Sequence, residues 1–264
     1  MILATALCGL LTAAMSQAQP ERSTSASLTA PPLTAVPLTE GAPEDFDGLT
    51  DPVRVVQLLA EPRHRTVHRV VTDGGAEVRL LDIQINPGDM TLPHTHDAAI
   101  LYTFISNGDG PLDGRVSSTA RYVDETYTHR VSNPGPGLFR IIALTSYAQP
   151  VAANVNDTPQ GLTQEPDIEN GWFRAWRLTL TAGEETAVIS HNNPAFVVHA
   201  SSGAVHVRRG DGLTELLRAA GDWSALESGQ RYTLLNRSRD AVTLVIKEAR
   251  VLLSPQSSAS ATEP

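Results

Sequence analysis

The chain has 264 residues, enough to bury one large hydrophobic core or two smaller ones. Its 29 acidic and 20 basic residues give a net charge of -9, and Lys247 is its single lysine. An acidic chain without basic clusters excludes nucleic acid and anionic membrane surfaces as expected partners. The one cysteine, Cys8, lies in the N-terminal apolar stretch, so a metal site in a mature chain would consist of His, Asp and Glu.

The N-terminus has the pattern of an export signal. Residues Ile2 to Ala14 are almost continuously apolar, and Ser16-Gln17-Ala18 places small residues where a signal peptidase cleaves. The run is too short to span a bilayer comfortably. We therefore predict a signal peptide over residues 1–18, a periplasmic or secreted location, and no membrane association after cleavage. The alternative is an ordinary apolar tail or a misassigned start codon.

The rest of the chain is dominated by short β-type segments between two polar ends. Residues 19–50 are rich in Pro, Ser, Thr and Ala and predict a flexible linker, and residues 254–264 predict a disordered tail. Between them, alternating or apolar runs such as 78–85 end at Gly, Pro and Asn turn signals. Helical signal is confined to 51–60 and 214–220. This pattern predicts an all-β sandwich or barrel.

An internal repeat divides the chain into two similar copies. Matching residues stand 95 positions apart: Arg79, Gly88 and Gly108 in the first copy, and Arg174, Gly183 and Gly203 in the second. Asn133 and Asn236 match at a slightly larger offset. We therefore predict an N-terminal domain over residues 51–150 and a C-terminal domain over residues 165–253.

The first copy carries two histidine motifs. His94-Thr95-His96 begins six positions after Gly88, and His129 is followed four positions later by Asn133. These motifs resemble those of the cupin superfamily, in which two histidines and a Glu of the first motif and a histidine of the second bind a metal. The resemblance implies two tandem cupin-type antiparallel β-barrels (a double-stranded β-helix or jelly roll), here a bicupin. It also implies His94, His96 and His129 as metal ligands.

The resemblance also places Leu101 where the family has its Glu, so we expect Leu101 to point into the first barrel beside the histidines. Asp97 and Glu125 are candidates for the missing carboxylate or for a general base. Asp97 follows His96 directly and would face away on a strand, so Glu125 is the preferred candidate. Tyr102, Tyr122 and Tyr127 lie near the motifs in sequence and are candidates for the pocket wall.

Residue chemistry supports a metal at this site. His94 and His96 are two residues apart, so they share one face of a strand. Neutral imidazoles suit transition metals and leave positions open for water or substrate. The expected cofactor is one divalent transition metal ion, Fe, Zn, Mn or Ni. Without a carboxylate ligand the ion would keep its full +2 charge, which favours an anionic partner.

The second copy retains the turns but loses the ligands. Ile189, Phe196 and Tyr232 replace three of the four ligand positions, and His191 alone remains. A single histidine among apolar residues is typical of packing, so we predict a degenerate second barrel without a metal.

Two functions fit this sequence. One is a metal-dependent enzyme, dioxygenase- or isomerase-like, acting on a small polar substrate. The other is a non-catalytic protein that binds a small ligand such as a carbohydrate or organic acid. In both, the partner is a small molecule, and the sequence leaves a homodimer open. The fold alone does not decide between these functions.

Overall fold

The computed structural model describes residues 66–72, 74–152 and 157–251, together with the backbone of 35–37. The predicted signal peptide, most of the predicted linker, the helical signal at 51–60 and the predicted tail lie outside the described residues. Within the described part, no helix is both long enough and apolar enough to cross a membrane.

The first copy forms two antiparallel sheets. Its strands are β1 (Ala35–Pro37), β2 (Thr66–Val71), β3 (Glu77–Ile85), β4 (His94–His96), β5 (Ala99–Asn107), β6 (Pro111–Thr119), β7 (Tyr127–Val131) and β8 (Phe139–Ser146). The larger sheet has the order β2-β3-β8-β5-β6 and the smaller sheet the order β1-β7-β4. A short helix, α1 (Arg121–Asp124), joins β6 to β7. Strand β1 falls within the region predicted as linker.

The second copy repeats this arrangement. Its strands are β9 (Ile168–Glu169), β10 (Phe173–Leu180), β11 (Ile189–Ser190), β12 (Ala195–His199), β13 (Val205–Arg209), β14 (Thr214–Leu217), β15 (Trp223–Leu226), β16 (Arg231–Asn236) and β17 (Val242–Ala249). The sheet orders are β15-β12-β17-β10-β9 and β11-β16-β13-β14. The helix predicted over 214–220 is wrong, because this segment pairs with β13 as strand β14. The all-β prediction with two tandem barrels is confirmed.

Equivalent residues close equivalent turns in the two copies. The Asn133 side-chain amide donates to the Ile85 carbonyl at 2.9 Å, and the Asn236 amide donates to the Leu180 carbonyl at 3.0 Å. Gly108 has a positive φ of 90°, and a Cβ there would lie 2.2 Å from Asn133 Oδ1. Glycine is therefore required at this turn. Among the described residues, each strand pairs with strands of its own copy. The domain limits 51–150 and 165–253 remain predictions.

The copies differ by one hairpin. In the second copy, β13 and β14 form a hairpin between β12 and β15, and β13 pairs with β16. In the first copy, β5 leads directly into β6, and β1 pairs with β7 on the side where β13 lies in the second copy. In the described part of the chain, the smaller sheet therefore has three strands in the first barrel and four in the second.

The two larger sheets pack against each other. One buried cluster combines first-barrel residues such as Leu80 and Leu144 with second-barrel residues such as Phe173 and Val245. A separate cluster fills the interior of the second barrel. Lys247 on β17 is fully buried at the contact between the barrels, where its Nζ donates to the Ile142 carbonyl at 2.7 Å. The shared core joins the two barrels into one body.

Candidate metal centre

Three histidines of the first barrel converge. His94 and His96 lie on β4, and His129 lies on the adjacent strand β7, directly opposite His94. One ring nitrogen from each of the three lies within 4.8 Å of the others. The Nε2 atoms of His96 and His129 are 2.9 Å apart. The structure therefore brings together all three residues predicted from the motifs.

Nearby groups set the orientation of one ring and the charge of the other two. His94 Nδ1 lies 3.1 Å from the Leu92 carbonyl, a contact of the kind that fixes ring orientation in metal sites. Burial, together with the neighbouring imidazoles, lowers the pKa of His96 to about 3. Burial and His94 lower the pKa of His129 to about 4. Both rings therefore present unprotonated nitrogen at neutral pH, as metal coordination requires.

Aromatic side chains form one wall of the site. The Tyr122 ring stacks on His96 with centroids 5.2 Å apart, and Tyr127 stacks on Tyr122 at 5.6 Å. Tyr127 also contacts His129, at 4.9 Å between centroids. Tyr122 is further hydrogen-bonded to Tyr102, and its pKa is raised chiefly by burial. The three tyrosines that sequence proximity indicated therefore belong to one assembly beside the histidines.

The corresponding place in the second barrel has the same backbone register. Ile189 on β11 lies opposite Tyr232 on β16, as His94 lies opposite His129. In both barrels, the smaller sheet that carries these positions packs with a larger sheet that has the equivalent strand order. The chain therefore folds as two tandem antiparallel β-barrels with equivalent strand order.

Comparisons with known proteins found matches among solved structures alone. No protein-family model and no curated protein matches this chain. Similar solved structures include AerE from Microcystis aeruginosa, 11% identical with a TM-score of 0.46, covering 70% of this chain and 98% of AerE. YhaK from Escherichia coli is 16% identical with a TM-score of 0.44, covering 70% of this chain and 92% of YhaK. A cupin domain from Bordetella pertussis Tohama I is 20% identical with a TM-score of 0.30, covering 36% and 94%. The fold assignment itself rests on the strand order and the motif register.

Neither candidate carboxylate belongs to the centre. Glu125 follows α1 on the surface, where it forms an ion pair with Arg121 at 2.8 Å. Asp97 is exposed at the end of β4. Among the described residues, the group able to hold a metal consists of the three histidines. The prediction that Glu125 supplies the missing carboxylate is therefore wrong.

The expected position of Leu101 is also wrong. Leu101 is fully buried in the cluster shared by the two barrels, where it packs on the same face of the sheet as its cross-strand partner Leu144. Side chains alternate along a strand, so Ile100 and Tyr102 occupy the opposite face. A register shift between Phe104 and Ser106 adds a residue before the Gly108 turn.

The second barrel fills the equivalent place with a buried group of polar side chains. His191 Nε2 lies 2.9 Å from the Tyr232 hydroxyl, and its Nδ1 lies 3.5 Å from Glu248 Oε2. Asn193 donates to Glu248 Oε1 at 2.7 Å and to Asp157 at 3.1 Å. Burial, with a contribution from Glu248, raises the pKa of Tyr232 well above its ordinary value. Sequence reasoning missed Glu248, although a carboxylate within the apolar run of β17 was a signal that could have revealed it.

Proposed function

We propose that the first barrel of this bicupin binds one divalent transition metal ion, Fe, Zn, Mn or Ni, through His94, His96 and His129. We further propose that the site serves a metal-dependent enzyme, dioxygenase- or isomerase-like, that acts on a small anionic polar substrate. The observation that carries the proposal is the convergence of three ring nitrogens within 4.8 Å of one another.

The donor set fits a metal. The Nε2 atoms of His96 and His129 are 2.9 Å apart, which leaves room for one proton between them. Two neutral rings at this distance require either that one ring donates its N–H to the other or that both bind a common ion. His129 Nδ1 is buried without a hydrogen-bond partner among the described residues. The lowered pKa values of His96 and His129 keep their lone pairs available. A single ion bound by all three rings accounts for their arrangement.

The substrate preference follows from charge and from the tyrosine wall. When bound, the ion supplies a Lewis acid with open positions and an uncompensated positive charge, because all three ligands are neutral. Tyr122 and Tyr127 lie beside His96 and His129, and phenol hydroxyls donate hydrogen bonds to anionic oxygen. These groups support a carboxylate or enolate oxygen as the bound atom, with the tyrosine rings shielding it from water.

Metal content of tag-free protein tests this proposal. We expect close to one equivalent of transition metal, and turnover of a small carboxylate or hydroxy acid that is lost with the metal in His96→Ala. Metal binding without turnover of any tested acid would favour the non-catalytic binding protein. Absence of metal together with no affinity for Fe, Zn, Mn or Ni would refute both the metal centre and the enzyme. We also propose export to the periplasm or medium, supported by the apolar N-terminal run; N-terminal sequencing of the mature protein tests it.

A further inference from the structure

A second concave site lies between the two barrels. It is a half-open cleft of about 940 Å³, within the usual size of small-molecule sites. Residues 68–72 of the β2 segment form one side, and residues 223–228 of the β15 segment form the other. Among the described strands, β2 and β15 are both edge strands. None of the three histidines of the metal centre lines this cleft, so it is a separate site.

Aromatic rings form part of the cleft lining. Trp223 is partly exposed, and its ring lies 5.7 Å from the ring of His68 between centroids. His68 also contacts the buried Phe196 ring, edge to face at 5.6 Å. Burial lowers the pKa of His68, so this ring is neutral at physiological pH. The cleft therefore offers an apolar, uncharged ring surface fixed by packing on both sides.

Polar groups surround these rings. Arg209 Nη2 donates to Glu215 at 2.7 Å and to the Ala225 carbonyl at 2.9 Å, which holds the guanidinium in place. Glu227, Ser228 and Gln230 supply carboxylate, hydroxyl and amide groups on the β15 side. The charges are balanced, because the lining contains two arginines, Arg69 and Arg209, and two glutamates, Glu215 and Glu227. The lining therefore has donors and acceptors without a net charge to select an ion.

We propose that this cleft binds a neutral mono- or disaccharide. A pyranose ring has an apolar C–H face that packs on an aromatic ring, and a rim of hydroxyls that both donate and accept hydrogen bonds. Trp223 and His68 match the apolar face, and the fixed polar groups around them match the rim. The charge balance disfavours an anion, in contrast with the ligand proposed for the metal centre. The two sites therefore bind chemically different molecules, and this proposal does not depend on the metal.

Sugar titrations of the full-length protein test the proposal. The probes are D-glucose, N-acetyl-D-glucosamine, maltose and cellobiose, with D-gluconate as the anionic counterpart. Calorimetry and tryptophan fluorescence measure their binding. We expect at least one neutral sugar to bind more tightly than gluconate. Trp223→Ala should weaken that binding about tenfold or more, which is the size expected for loss of a stacked aromatic contact. Glu227→Ala, a change at an exposed side chain, should weaken it as well.

Two control variants distinguish sugar binding in the cleft from sugar binding elsewhere on the protein. His96→Ala should leave sugar affinity unchanged, because the metal centre lies outside the cleft. Leu213→Ala removes an exposed apolar side chain elsewhere on the second barrel and should also have no effect. The proposal is overturned if none of the neutral sugars binds at about 50 mM, a concentration sufficient for even millimolar affinities. It is equally overturned if gluconate binds best, or if binding is lost in His96→Ala and retained in both cleft variants.

Discussion

The two barrels place different side chains on the same backbone register. In the first barrel, His94 lies opposite His129, and three imidazoles converge. In the second, Ile189 lies opposite Tyr232, and the remaining histidine lies in a buried group of polar side chains. The second barrel therefore lacks two of the three imidazoles, and the third is hydrogen-bonded to Tyr232. The difference shows that one backbone register holds either set of side chains.

The contrast between the barrels extends to the larger sheets. Glu248 on β17 occupies the place of Thr145 on β8, since they pair with Arg174 and Arg79 at equivalent positions. The second barrel therefore has a carboxylate where the first barrel has a hydroxyl. This carboxylate accepts a hydrogen bond from Asn193 at 2.7 Å and lies 3.5 Å from His191 Nδ1.

The largest expected effect concerns the two histidines at matching positions, His96 and His191. His96→Ala should weaken metal affinity about 100-fold or more, because two imidazoles hold a divalent ion poorly. His191→Ala should leave the metal content unchanged, since Ile189 and Tyr232 cannot complete a site around it. Metal analysis with competitive chelator titration measures both. Equal metal content in wild type and His96→Ala would contradict the contrast between the barrels.

Glutamate substitutions at two adjacent positions of β5 should have different effects, because the two side chains point to opposite faces of the sheet. Leu101→Glu buries a carboxylate between the barrels and should lower the free energy of unfolding by about 3–5 kcal/mol, with no gain in metal affinity. Ile100→Glu points to the opposite face, where a carboxylate is expected to tighten metal binding about tenfold. Urea denaturation and metal titration of both variants test this. Tighter metal binding in Leu101→Glu alone would mean that position 101, and not position 100, faces the histidines.

A smaller effect is expected for the hydroxyl that pairs with His191. Tyr232→Phe leaves His191 Nε2 buried without its partner, which should cost about 1–2 kcal/mol of unfolding free energy. Tyr127→Phe, at the less buried first site, should change stability by less than about 0.5 kcal/mol in metal-free protein. Thermal or urea unfolding of both variants measures these changes in stability. Similar losses in both variants would argue that the two sites are equally dependent on their hydroxyls.

A pH-dependent effect is expected for Lys247, which occupies the place of Leu144 in the other barrel. Burial lowers its pKa well below the ordinary value. The unfolded chain therefore binds more protons up to about pH 10.5, so stability should rise with pH below that limit. Between pH 8 and 10, wild type should gain unfolding free energy relative to Lys247→Met, by at most about 1.4 kcal/mol per pH unit. If the urea midpoints of the two proteins change with pH in the same way, Lys247 keeps an ordinary pKa.

The sequence by itself determined the repeat, the all-β class and the three histidines. These depend on local rules: glycine is needed at a turn with positive φ, and residues two apart share one face of a strand. The matching environments of Asn133 and Asn236 show how well such rules transfer between copies. That His129 lies beside the other two histidines was also predictable, because its spacing to Asn133 repeats a known motif.

Only the tertiary structure decided which way Leu101 faces, where Glu248 lies and that a cleft lies between the barrels. Neighbouring residues of a strand face opposite sides, so an uncertainty of one position in the motif decides whether a residue faces the histidines or the other barrel. Glu248 and His191 are 57 positions apart in sequence, and antiparallel pairing brings their strands into one barrel. The cleft requires the packing of two domains. Contacts of this kind depend on which faces meet, and that information is distributed over the whole chain.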